Sequence, residues 1–311
     1  MIFRQLYDAE SSTFTYLVAD EETRHAVLLD AVLEQIDRDL ELVSQLELKL
    51  THAVDTHVHA DHITASGLLR ERTGCLTVGS QVGPSCADVQ VRDGDALRVG
   101  KLLFKVLATP GHTDDSVSYL LDDRVFTGDA LLIRANGRTD FQNGDASQLY
   151  DSITRVLFAL PDQTLIYPAH DYKGRTVTTV WEEKRYNPRV VGKSREQFIQ
   201  IMENLKLPKP KKMDLAVPAN RACARPTRTS RPLSSTGWAT KCGASMSVSP
   251  TNTRGPWVTS PAPSSCPWAV SKAARSRGNA GSPCCSFAAR GIGLHRPRCC
   301  SRRWARGDRG A

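Results

Sequence analysis

Four short polar segments carry the residue types that do chemistry. The first, Thr56-His57-Val58-His59-Ala60-Asp61-His62, places three histidines and an aspartate within seven residues, a density for which core packing offers no rationale. Thr109-Pro110-Gly111-His112-Thr113, Thr127-Gly128-Asp129-Ala130 and Tyr167-Pro168-Ala169-His170-Asp171 add further histidine and aspartate. Imidazole combined with carboxylate suits Zn, Mn or Fe(II), and two histidines with one carboxylate leave positions open for substrate and O2 on iron. A lone His112 or His170 would ordinarily be a structural or surface histidine; the first cluster is what draws them into a metal reading. His25 and His52, in strand-like context without a partner motif, read as structural.

Each of these segments interrupts an apolar run at its C-terminal end, and loops at one edge of a sheet can converge on one site. Thr13–Ala19 and His25–Asp30 are short β-rich runs around a charged turn and predict a hairpin. Leu33, Ile36, Leu40, Val43 and Leu46 are spaced by three and four, the stripe of an amphipathic helix over Leu33–Leu48. Leu50–Asp55 predicts a strand, and Ala65–Thr73 a helix ended by Gly74. Short strands follow at Leu76–Val78, Leu97–Val99, Leu102–Leu107, Ser116–Leu121, Arg124–Thr127 and Thr164–Tyr167, with helices at Ala146–Leu160 and Thr178–Asn187. Alternation of this kind implies a layered α/β domain. The pattern lapses after about Asn220.

The 311-residue chain has a net charge of +8, but the total misleads. Met1–Cys223 holds 26 basic and 32 acidic residues, a net of −6, while the remainder holds 15 basic residues and only Asp308 as an acid. The basic excess therefore belongs to the tail and gives the folded part no reason to bind nucleic acid. Cys75, Cys86 and Cys223 do not have the spacing of a disulfide framework. No segment has the roughly 18 apolar residues that crossing a bilayer requires, and the N-terminus lacks the pattern of a signal peptide. The expectation is a soluble cytoplasmic protein without membrane or nucleic-acid partners.

The string His57-Val58-His59-Ala60-Asp61-His62, followed by His112, Asp129 and His170 in their contexts, resembles the metallo-β-lactamase superfamily. That resemblance covers roughly Phe3–Asn220 and implies an αββα sandwich with a metal site at one sheet edge. Longer strings narrow it: Thr56–Thr64, Phe126–Arg134, Gly137-Arg138-Thr139-Asp140-Phe141-Gln142 and Ile166–Tyr172 closely resemble persulfide dioxygenases of the ethylmalonic-encephalopathy-protein type. Carried over position by position, the resemblance makes His57, His112 and Asp129 the catalytic ligands of one Fe(II) per chain. His59, Asp61, His62 and His170 then surround the metal and fix ligand orientation by hydrogen bonds.

The implied reaction converts glutathione persulfide, O2 and water to sulfite and glutathione, and the resemblance also implies a homodimer. Glutathione carries carboxylates, which a guanidinium can hold with two parallel hydrogen bonds. Arg138 and Tyr172 resemble the family's substrate-pocket residues; the bland alternative is a structural arginine tied to Asp140 and a core tyrosine. The competing enzymatic reading is glyoxalase II-like thioester hydrolysis at a dinuclear metal centre, for which every ligand type is present. A third reading is a domain that only sequesters metal or binds a partner.

Residues 1–220 are thus expected to form the dioxygenase domain and residues 221–311 a largely unstructured tail. The tail is rich in Arg, Ser, Pro and Ala, yet four tryptophans and six cysteines beyond Cys223 are unusual for disorder. Cys284-Cys285 and Cys299-Cys300 lack the C-x-x-C spacing of a metal knuckle. Frame-shifted reading offers another explanation. When each codon is taken as the third base of one residue's codon plus the first two of the next, Ser245–Pro263 can encode Asp-Val-Arg-Gln-Pro-Asp-Glu-Tyr-Ala-Gly-x-Leu-Gly-His-Val-Pro-Gly-Ala. Pro283–Gly291 likewise permits Val-Leu-Leu-Val-Cys-Arg-Ser-Gly. These strings resemble a rhodanese domain with its active-site loop. As written, the chain lacks that catalytic cysteine, and no sulfurtransferase activity is expected.

Overall fold

Runs of β-branched and aromatic residues build two six-stranded sheets in the computed structural model, which describes residues 1–222. The first sheet holds β1 (Ile2–Asp8), β2 (Thr13–Ala19), β3 (His25–Leu29), β4 (Lys49–Val54), β5 (Leu76–Ser80) and β6 (Val89–Val91), in that spatial order. The pairs β1–β2 and β2–β3 are antiparallel, and β3 through β6 run parallel. The second sheet holds β7 (Ala96–Val99), β8 (Leu102–Ala108), β9 (Val117–Leu121), β10 (Arg124–Gly128), β11 (Leu165–Pro168) and β12 (Thr178–Thr179). Within it only β10 and β11 pair parallel.

All seven residues of β2 are buried, because both faces of this strand are covered. Phe14, Tyr16 and Val18 meet Phe104, Val106, Tyr119 and Phe126 of the second sheet in the central core. Leu17 and Ala19 point the other way, onto α1 (Ile36–Gln45) and α2 (Ser66–Thr73), where they pack with Ile36, Val43 and Leu69. On the far face of the second sheet, Leu107, Val125 and Ile166 pack with Leu149 of α3 (Ala146–Asp151), Val180 of α4 (Val180–Tyr186) and Phe198 and Met202 of α5 (Arg195–Glu203). Helix, sheet, sheet, helix is the expected αββα sandwich. A last helix, α6 (Met213–Arg221), closes the described chain.

Two helices are shorter than their apolar spacing predicts. Leu33–Gln35 is a 3-10 turn ahead of α1, and the chain leaves the helix before Glu47, whose φ is +52°. Over Ala146–Leu160, α3 ends at Asp151 and continues as a π-type stretch, Ser152–Val156, then a 3-10 turn, Leu157–Ala159. β-branched Ile153, Thr154 and Val156 crowd a regular turn, and the Thr154 hydroxyl donates to the Tyr150 carbonyl, competing for a helical acceptor. The sequence reading did not include β1, β6, α5 and α6, and it placed Thr178–Thr179 in a helix where the structure pairs them with β11 as the short strand β12. Helix α5 carries a legible signal, a capping box in which Ser194 and Gln197 bond each other's backbone N–H.

The domain boundary expected at residue 220 falls inside α6. Residues 223–311, with the cysteine pairs and the frame-shifted strings, lie outside the described residues. Among the described residues no helix is long and apolar enough to cross a membrane.

Candidate metal centre

Strand ends from both sheets meet at one edge. His57 follows β4 of the first sheet, while His112, Asp129 and His170 follow β8, β10 and β11 of the second. The seam is stitched by backbone hydrogen bonds from Val117 to Thr56 (2.9 Å) and from Phe14 to Ala169 (2.7 Å). The turn before His112 is held by close packing. Gly111 has φ +128°, and a Cβ there would strike the backbone of Leu149, so α3 sits directly against the loop. Asp145 caps α3, its carboxylate accepting from Ser147 and Gln148, and its own N–H donates to the Gly111 carbonyl at 2.9 Å.

One donor atom each from His57, His112 and Asp129 lies within 4.8 Å of the others. The ring tautomers are set by hydrogen bonds behind them. His112 Nδ1 lies 2.7 Å from the Arg138 carbonyl, which can only accept, so the proton is on Nδ1 and Nε2 presents a lone pair. Nε2 of His112 is 3.6 Å from Asp129 Oδ2. His57 Nδ1 lies 2.9 Å from Thr56 Oγ1, and Thr56 in turn donates to Asp30 Oδ2 at 3.0 Å. With the hydroxyl proton committed to Asp30, His57 donates from Nδ1 and also presents Nε2. Burial, followed by His59 and His112 nearby, pushes His57 well below the ordinary imidazole range and keeps it neutral, as a metal ligand must be. Asp129 is ionised: burial pushes its carboxyl up, but His170, His112 and His57 outweigh it, and its buried Oδ1 has no hydrogen-bond partner.

The other four polar residues form a second group beside the first. Nε2 of His59 lies 3.1 Å from Asp30 Oδ1, which turns that ring toward the interior. Asp61 Oδ2 is 2.9 Å from His62 Nδ1, accepts from Thr13 Oγ1 at 3.0 Å and lies 3.6 Å from His170 Nε2. His170 Nδ1 donates to the Ser12 carbonyl at 3.1 Å, and its Nε2 is 3.7 Å from Asp129 Oδ1. Burial alone would lower the His170 pKa, but Asp129 and Asp61 reverse this and push it up to about 10. His59, Asp61 and His62 also bring three donor atoms within 4.8 Å, as do Asp30, Asp55 and His59.

The two residues expected to meet substrate are placed differently. Tyr172 is 71% exposed, and its ring stacks on His170 with centroids 5.9 Å apart and planes 6° from parallel. It is not a core tyrosine. The Arg138 guanidinium is gripped by the two oxygens of Asp140 at 2.6 and 2.7 Å, donates to the Pro208 carbonyl at 2.7 Å and lies over the Phe141 ring. Its visible role is to fix the loop whose carbonyl orients His112. Sequence reasoning missed Asp30, Thr56, Ser12 and Asn220. Asp30 had a signal, since it too is a carboxylate at the C-terminal end of a strand.

A family model described as the metallo-beta-lactamase superfamily matches residues 9–83 and 87–170. The chain is 51% identical over 232 residues to human "Persulfide dioxygenase ETHE1, mitochondrial", covering 74% of this chain and 91% of that protein. It belongs to the metallo-beta-lactamase superfamily. Within the superfamily its kinship is with the persulfide dioxygenases, for it also resembles the crystal structure of ETHE1 from Myxococcus xanthus. That similarity has 75% sequence identity and a TM-score of 0.72, covering 72% of this chain and all of the other. A metallo-beta-lactamase structure from Staphylococcus aureus is more distant, at 26% identity and a TM-score of 0.66, covering 71% and 72% of the two chains.

Proposed function

We propose that this chain is an Fe(II)-dependent persulfide dioxygenase that converts glutathione persulfide, O2 and water to glutathione and sulfite. The observation that carries the proposal is the convergence of two imidazole Nε2 atoms and one carboxylate from three loops, each imidazole with its Nδ1 proton already engaged behind it. Two histidines and a carboxylate would hold the iron and leave coordination positions open for substrate and O2. In that site iron supplies a seat for the terminal persulfide sulfur and the activation of O2.

The chain's own residues do the rest. His57, His112 and Asp129 hold the ion, while Thr56 and the Arg138 carbonyl fix the two ring orientations. Tyr172 offers an exposed ring face beside His170 on which the tripeptide can lie. His170, pushed up to about 10 and so already protonated at neutral pH, places a positive charge between Asp61 and Asp129 beside the ion. In the second group His59 Nε2 is engaged by Asp30 and Asp61 already serves Thr13, His62 and His170, so a second ion there would draw on the buried, unpartnered His59 Nδ1 and His62 Nε2 and compete for the Asp61 carboxylate. A homodimer and a cytoplasmic location complete the proposal; size-exclusion chromatography and cell fractionation test them.

The deciding experiment measures metal content together with turnover. One iron per chain, O2 uptake and sulfite formation from glutathione persulfide is the expected result. Two zinc ions with thioester cleavage and no O2 uptake would overturn it in favour of a hydrolase.

A further inference from the structure

The loop that carries His59, Asp61 and His62 has no regular secondary structure, so its backbone groups need partners from elsewhere. Asp115 serves the Val58 N–H, Gln142 the Val58 carbonyl and the Leu33 N–H the Ile63 carbonyl, while three further groups fall to one side chain 156 to 161 residues away. Asn220, 4% exposed near the end of α6, donates from Nδ2 to the carbonyls of His59 and His62, both at 2.9 Å. Its Oδ1 accepts from the Thr64 N–H at 2.9 Å. Both amide protons and the carbonyl oxygen are thus spent on the two sides of the loop. The opposite end of α6 is also anchored: Lys212, which precedes the helix, pairs with Glu10 (2.9 Å) and Glu34 (2.7 Å), and Glu10 lies two residues before the Ser12 whose carbonyl holds His170.

We propose that Asn220 is a positioning residue of the metal centre, a clamp through which α6 sets the geometry of the His57–His62 loop. It touches no donor atom of the centre. Only the primary amide serves all three partners: alanine removes every bond, and aspartate keeps the acceptor for Thr64 but turns a second oxygen toward two carbonyls. Protonation of that aspartate restores one donor, so its deficit must shrink as pH falls. Residues that orient a metal site in this way change affinity by about 10-fold to 100-fold when lost.

The proposal rests on the metal centre but not on the dioxygenase reaction, and the test uses Co(II) alone with the full chain. Affinity is read by titration and coordination by the visible absorption of the bound cobalt. Asn220→Ala is expected to bind Co(II) about 10-fold to 100-fold more weakly with an altered spectrum, whereas Leu215→Ala, at an exposed position of the same helix, leaves both unchanged. Should Asn220→Ala fail to fold, Asn220→Asp gives the answer: its deficit relative to the unaltered chain is expected to narrow between pH 8 and pH 6. Unaltered affinity and spectrum in Asn220→Ala, or an Asn220→Asp deficit that ignores pH, would overturn the clamp. An unaltered chain that takes up no cobalt would instead sink the centre itself, and the clamp with it.

Discussion

Gly137→Ala disables the centre without removing a ligand. A Cβ built on Gly137 sits 2.7 Å from His112 Nδ1 and 2.8 Å from Cγ, and it also strikes the carbonyl oxygen of Asp129. Non-bonded carbon contacts are comfortable at about 3.5–4.0 Å, so the ring or the loop must retreat by roughly 1 Å. The retreat also stretches the hydrogen bond from His112 to Arg138 and the one from the Gly137 N–H to Asp129, both now 2.7 Å. The φ of Gly137 is not positive, so alanine adds steric demand but no backbone strain. A misplacement of about 1 Å costs on the order of 10²-fold in rate, or about 2.7 kcal/mol of transition-state stabilisation. Overpacking adds about 1–3 kcal/mol of lost stability. The assay is kcat/KM for glutathione persulfide from O2 uptake, with metal content and melting temperature measured on the same samples. Activity within threefold of the unaltered chain at full metal loading would refute the close-packing argument.

Thr56→Val keeps the volume but breaks the relay from His57 through Thr56 to Asp30, and is expected to weaken metal binding by about 10-fold to 100-fold in a chelator competition. Arg138→Lys cannot reproduce the two-pronged grip on Asp140; a holding role predicts that Asp140→Asn lowers activity in parallel. A raised KM in Arg138→Lys alone would assign the arginine to the substrate. Asp39 lies buried on α1, and burial raises its carboxyl pKa by more than Arg38 lowers it. A folded pKa above the unfolded one means that stability is fully present below the unfolded value, near 3.9, and is lost as pH rises through the folded value. Asp39→Asn should therefore flatten that decline, and melting curves from pH 4 to neutral will show whether the gap between the two proteins changes.

The sequence made the strands and the candidate ligands legible for the same reason. Central strands such as β2 are buried throughout and mostly apolar, and the polar segments stand out where those runs stop. Helix ends were less legible because they depend on local competition, as with the Thr154 hydroxyl at the Tyr150 carbonyl. The groups that orient the ligands left almost no trace. Thr56 and Ser12 act through a hydroxyl and a carbonyl any sequence could supply, and Asn220 reaches the loop from a helix the periodicity did not mark. Arg138 was legible as a residue but not as a role, since its partners Asp140 and Pro208 are decided by tertiary packing.

His57 belongs to one sheet, and His112 and Asp129 to the other. An ion held by all three is therefore a rivet across the seam between two layers that otherwise meet through apolar contact and a few backbone bonds. A rivet of this kind couples metal supply to the lifetime of the fold: free metal at 100 times its dissociation constant adds about 2.7 kcal/mol to stability. In a cell short of that metal, the protein would lose endurance as well as activity, and its abundance would follow the metal.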